Sequence, residues 1–163
     1  MNKIVQNKHS KSLVYVNNIL YLCTHVINTI LTMIKQDYLI RMILEIITLI
    51  ANALLNKQKI RPQSWVEYDC LTQQILELPT DALKDMTPEE IIDKYQDDTN
   101  RMGKIELAGM TLLKISDEMA DDQLLLKSKL KQHGIQLLKY IQMRGNTFSI
   151  QRVALIQALE RDT

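Results

Sequence analysis

The chain has 163 residues, 46% apolar and 24% charged, with a formal net charge of +1. That length can bury about 70% of the unfolded surface without disulfides or a metal, and a composition this close to the globular average excludes wholesale disorder. Four glycines and three prolines are too few for the turns of a β-sandwich or barrel, whereas helices on short loops need few. The expected fold class is all-α.

Charge is unevenly spread. Residues 1–62 hold eight Lys/Arg against two Asp/Glu, residues 63–120 hold five against thirteen, and residues 121–163 hold seven against four. One expectation is that the basic ends and the acidic middle attract each other within one fold, at a range limited by screening to roughly 8–10 Å. The other is an acidic face for a basic partner. A near-neutral total without a docking motif argues against nucleic acid.

Three readings stand for residues 1–32. Leu13 to Leu31 is apolar in outline and follows Lys3, Lys8 and Lys11, as in a signal peptide or membrane anchor. Asn17, Asn18, His25 and Asn28 are costly in hydrocarbon, so an amphipathic helix packed on the core is the second reading. In the third, Met33 is the natural start and residues 1–32 are an appendage to a single helical domain, 33–163.

Gln36 to Asn56 is expected to be the central helix. Its strongly polar residues Arg41, Glu45, Thr48 and Asn52 recur at spacings of four, three and four, so they share one face. A stripe that narrow implies a helix covered by protein on most of its circumference.

Pro62 suits the first turn of a second helix over about 63–78, with an apolar face of Trp65, Val66, Tyr68, Leu71, Ile75, Leu76 and Leu78 that Pro79 stops. A short turn or helix follows at Asp81 to Asp85. Thr87-Pro88-Glu89-Glu90 then reads as a capping box opening a helix over about 88–97.

A helix over about 101–119 carries Met102, Ile105, Leu107, Ala108, Leu112, Leu113 and Ile115. Gly103 and Gly109 weaken its interior by about 1 kcal/mol each relative to Ala, which a close neighbouring helix would offset. Residues 121–143 form a long helix with a stripe of Leu126, Leu130, Leu137 and Ile141, and Gly134 is a weak point inside it. After a turn at Gly145-Asn146, a last helix over about 148–161 turns Ile150, Val153, Ala154, Ile156 and Leu159 inward. Six or seven helices result, as a bundle or a stack of helical hairpins.

From Met33 onward, on the strength of Gln36-Asp37-Tyr38-Leu39-Ile40-Arg41-Met42-Ile43, the chain resembles a family of small, uncharacterised bacterial helical proteins. The Ala and Gly positions of 101–143 give a loose similarity to tetratricopeptide-type hairpins. The resemblance implies an all-helical domain over about 33–163. It implies no activity, and no functional residue carries over from it.

Candidate chemistry is sparse. Arg41 and Glu45 stand one turn apart and read as a surface ion pair. Glu89, Glu90, Asp93, Asp97 and Asp98 lie on or just after a helix rather than around a glycine turn, which reads as a solvated acidic face and not a calcium loop. Lys127, Lys129, Lys131, His133 and Lys139 are its basic counterpart. Trp65 and Tyr68 stand near Cys70 and read as core. Cys23 and His25 lack a second ligand pair, and His9 and His133 are isolated, so no metal site is expected. Two separated cysteines suggest a reducing, cytoplasmic compartment.

No catalytic, cofactor-binding or metal residue is expected, and no enzyme. The expected function is a protein–protein interaction module with another protein, or a second copy, as partner. The alternative is a membrane-associated helical protein anchored through 13–34.

Overall fold

In the computed structural model the backbone is described for residues 2–161, and the side chains for residues 26, 28–61, 65–120 and 122–161. Among the described residues seven α-helices follow one another: α1 (Asn2–Leu55), α2 (Pro62–Leu76), α3 (Thr80–Asp85), α4 (Pro88–Lys94), α5 (Arg101–Glu118), α6 (Leu124–Arg144) and α7 (Ile150–Arg161). A 3-10 turn, Asp121–Gln123, leads into α6. No strand occurs among the described residues, and the fold is all-α. The chain divides into two compact units, Met1–Leu39 and Ile40–Thr163.

The first helix begins far ahead of the start expected at Gln36. Residues 2–55 contain neither glycine nor proline, so no residue there imposes a break. Cys23, His25, His9 and most of the apolar run from Leu13 have their side chains outside the described residues. Within Met1–Leu39 the described apolar residues Val26, Ile30, Leu31, Met33, Ile34 and Tyr38 are at least half exposed, and Leu39 is partly buried.

In Ile40–Thr163 the central element is α5, which corrects the expectation for 36–56. Eleven of the eighteen residues of α5 are buried. The end of α1 buries one side instead, through Ile43, Ile46, Ile47, Ile50 and Ala51, while Ile40 and Leu44 stay exposed. Apolarity around the whole circumference showed what this helix can bury, but neighbours are present on one side only. It ends at Lys57, whose φ of 50° lets the Gln58 amide return to the Ala53 carbonyl at 2.9 Å.

The most extensive interface joins α5 to α6. A Cβ on Gly109 would stand 3.1 Å from Leu137 Cβ and 3.3 Å from the Gly134 carbonyl oxygen. One on Gly134 would stand 2.6 Å from Leu113 Cγ and 2.9 Å from the Gly109 oxygen. Gly109 thus faces Leu137 and Leu113 faces Gly134, so the two helices run antiparallel. Gly134, read as a weak point, is where the backbones need the space most. Gly103 has an easier neighbour, with Ile43 Cγ2 3.4 Å from the position of its Cβ.

Helices α2, α3, α4 and α7 pack around this hairpin. The capping box forms: the Glu90 amide donates to Thr87 Oγ1 at 3.3 Å, and the Thr87 amide donates to Glu90 Oε2 at 2.7 Å. The α2 helix ends at Glu77 in the left-handed region, with φ 51°, and buried Tyr95 donates its hydroxyl to the Leu76 carbonyl at 2.7 Å.

Beyond α1, three further apolar positions expected inside are outside: Val66 (70% exposed), Leu126 (38%) and Ile150 (76%). On α7 the buried residues are Arg152, Leu155 and Ile156, because the helix starts at Ile150, after Ser149, whose Oγ accepts the Arg152 amide at 3.2 Å.

Candidate functional site

A cleft in Ile40–Thr163 has a volume of about 650 Å³. Its apolar wall is one side of α1, where Ile40, Ile43, Leu44 and Ile47 recur at helical spacing, Ile40 and Leu44 exposed and Ile43 and Ile47 buried. The opposite side comes from the loop before α5 and its first two turns, with Asp98, Arg101, Met102 and Glu106. Arg144, Asn146 and Thr147, between α6 and α7, close one end.

The acids of this cleft are already paired. Asp98 is 2.7 Å from Lys104 Nζ and accepts the Asn100 amide at 2.7 Å. Burial alone would raise its carboxyl, but the ammonium and the amide hold it below the ordinary carboxylate value. Lys104 also approaches exposed Glu77 at 3.5 Å. Glu106 accepts from Arg152 Nη1 at 2.8 Å, and Arg152 Nη2 donates to the Thr147 carbonyl at 2.6 Å. This interaction ties the loop to α5 and fixes the end of the cleft.

The two remaining cations are different. Arg101 makes only a long hydrogen bond, 3.5 Å, to the Gln96 carbonyl. Neither Arg101 nor exposed Arg144 joins an ion pair among the described residues.

A smaller cleft of about 440 Å³ lies between α2, α3 and α5, lined by Trp65, Asp69, Thr80, Lys114 and Glu118 among others. Lys114 Nζ sits 3.4 Å from the Trp65 ring centroid and 2.5 Å from Glu118 Oε2. Burial lowers its pKa while Glu118 pulls it back up. Every charged group here has a partner: Asp69 accepts from Thr80 and Gln73, and Asp81 pairs with Lys84.

The residues singled out in the sequence do not converge. Glu45 accepts from the Tyr68 hydroxyl at 3.1 Å, and no salt bridge joins it to Arg41 among the described residues. The i, i+4 spacing permits that ion pair, but the tertiary neighbour takes the carboxylate. Trp65 turns to Lys114, and Cys70 lies at the surface. Glu89, Glu90, Asp93 and Asp97 are exposed. Among the described residues no group of three His, Cys, Asp or Glu could hold a metal.

In the basic run Lys139 pairs with Glu160 at 2.5 Å, and Lys127 donates to the Met119 carbonyl at 3.2 Å. Of the attraction expected between acidic middle and basic ends, Arg152–Glu106 is an instance, whereas four described ion pairs stay within the middle. Sequence reasoning missed Arg101 and Arg144. The available signal was slight: an arginine opening one helix and another closing a second.

Fold and cleft together define an all-α protein with an open, partly apolar surface cleft rimmed by arginine. No family model, no curated protein and no solved structure matches the chain.

Proposed function

We propose that the protein is an interaction module, working in the cytoplasm by binding rather than catalysis, and that it docks a segment of another protein in the α1–α5 cleft. The observation that carries this reading is the exposed pair Ile40 and Leu44, one helical turn apart, beside an opening of about 650 Å³. Apolar side chains on one helix edge next to a groove are how helix-in-groove recognition is built, and Leu44, 56% exposed, has no cover. With this reading we retain the kinship to small bacterial helical proteins inferred from Gln36–Ile43. The test is a photo-crosslinking amino acid at position 44, with exposed position 66 as control, in cells of the natural source. A discrete protein adduct from position 44 alone is expected. Equal labelling from both positions, or none, would remove the reading.

A second reading is membrane association through 13–34. The observation favouring it is that Asn28–Leu55 is long and apolar enough, by length and composition alone, to cross a membrane, together with the exposure of Ile30, Leu31, Met33 and Ile34. Flotation of the full chain with phosphatidylcholine–phosphatidylglycerol vesicles, lost in an Ile30→Ser/Ile34→Ser variant, is its expected result. Recovery of the native chain entirely below the vesicles would rule it out.

A further inference from the structure

We infer that the occupant of the α1–α5 cleft is an acidic amphipathic helix of a partner protein, with its carboxylate at Arg101 and Arg144. The inference rests on the docking reading above and adds the chemistry of what docks. Ile40 and Leu44 stand exposed one helical turn apart, about 6 Å at 1.5 Å per residue, with buried Ile43 and Ile47 at the floor of the cleft beside them. A ridge of that length matches two apolar side chains one turn apart on a facing helix.

Charge decides the rest. Both acids lining the cleft are committed, Asp98 to Lys104 at 2.7 Å and Glu106 to Arg152 at 2.8 Å. Arg101 and Arg144 line the same cleft and join no ion pair among the described residues. A guanidinium offers a planar fork that a carboxylate fills with two parallel hydrogen bonds. A basic partner would meet those two arginines with nothing to offset them, so an acidic one is favoured.

The experiment uses the full chain and three fluorescein-labelled, alanine-based helical peptides. All share leucines at i and i+4, and differ only in Glu, Gln or Lys one turn further on. Fluorescence anisotropy at physiological salt should show the Glu peptide binding roughly tenfold more tightly than the Lys peptide, the size of one charge-assisted hydrogen bond. An Arg101→Gln/Arg144→Gln variant should equalise the three, and Leu44→Ser should weaken all of them. Circular dichroism checks that both variants are folded.

Equal affinities that still depend on Leu44 would overturn the carboxylate inference and leave the docking reading standing. No binding by any peptide, or binding indifferent to Leu44→Ser, would overturn both. A dimer of the unliganded chain that Arg101→Gln/Arg144→Gln dissolves would give the cleft to a second copy and overturn the partner helix. Laurate binding at the arginines, with no peptide bound, would do so in favour of a free carboxylate lipid.

Discussion

Residues 26–38 of α1 and the eighteen residues of α5 reverse what their compositions suggest. The first stretch exposes Val26, Ile30, Leu31, Met33, Ile34 and Tyr38 to half or more of their area, while α5 buries Lys104, Thr111, Lys114 and Ser116. Burial is decided by what lies alongside a helix, and the informative residues are the buried polar and the exposed apolar ones. The polar groups of α5 are satisfied where they stand. Thr111 Oγ1 returns to the Leu107 carbonyl at 2.8 Å, Lys104 reaches Asp98, and Lys114 lies against the Trp65 ring beside Glu118. Each lysine lays its methylenes in the core and places its ammonium at a carboxylate near the edge.

Substitutions at equivalent apolar residues separate the two regions most sharply. Leu112, fully buried on α5, should cost about 3 kcal/mol as Leu112→Ala, through lost transfer energy and the cavity left behind. Urea denaturation checks this, and a loss below about 1 kcal/mol would deny α5 its central place. Gly134→Ala should cost about 2 kcal/mol although alanine is the better helix former, because the new methyl meets Leu113 and a carbonyl oxygen that cannot give way. A stabilised variant would mean that the α5–α6 crossing is looser than described.

A smaller effect is expected from pH. His133 is held below its ordinary 6.5 by burial and by the Lys129 charge, against weaker upward pulls from the Met86 backbone and Glu89. The unfolded chain then binds that proton more readily than the folded one. The contribution of His133 is therefore complete above about pH 6.5 and is lost as the pH falls through the folded value. The urea midpoint should drop between about pH 7.5 and 5.5, and His133→Gln should flatten that part of the slope. An unchanged slope in the variant would place the effect elsewhere. The smallest effect belongs to Ile34→Ser, 59% exposed in the native chain, which should stay within about 0.5 kcal/mol of the parent. A loss of 2 kcal/mol would reveal a covering surface over residues 26–38.

Much of the architecture was legible locally. Thr87-Pro88-Glu89-Glu90 announced its capping box, and the starts of α2, α4 and α5 followed from proline and polar turns. Local signals could not show that Gly134 faces Gly109, because two glycines 25 residues apart carry no mark of their pairing. The cleft was illegible for the same reason. Its walls come from 40–47, 96–106 and 144–147, and only the folded chain places them side by side. Arg101 and Arg144 read singly as helix-end charges, and what distinguishes them is that their neighbours Lys104 and Arg152 take the nearby acids.

The crossing at Gly109 and Gly134 bears on the order of assembly. The helices it joins are consecutive and linked by the short stretch Met119–Gln123, so bringing them together closes a small loop at little entropic cost. Contacts between sequence neighbours form fastest, which makes the α5–α6 hairpin the expected nucleus, onto which the end of α1 and α7 dock later. Stopped-flow refolding of Leu137→Ala, Ile43→Ala and Leu155→Ala would test that order. Slowed folding in the first, and mainly faster unfolding in the other two, would show the hairpin forming ahead of the rest. The opposite pattern would show a chain that assembles from its outer helices inward.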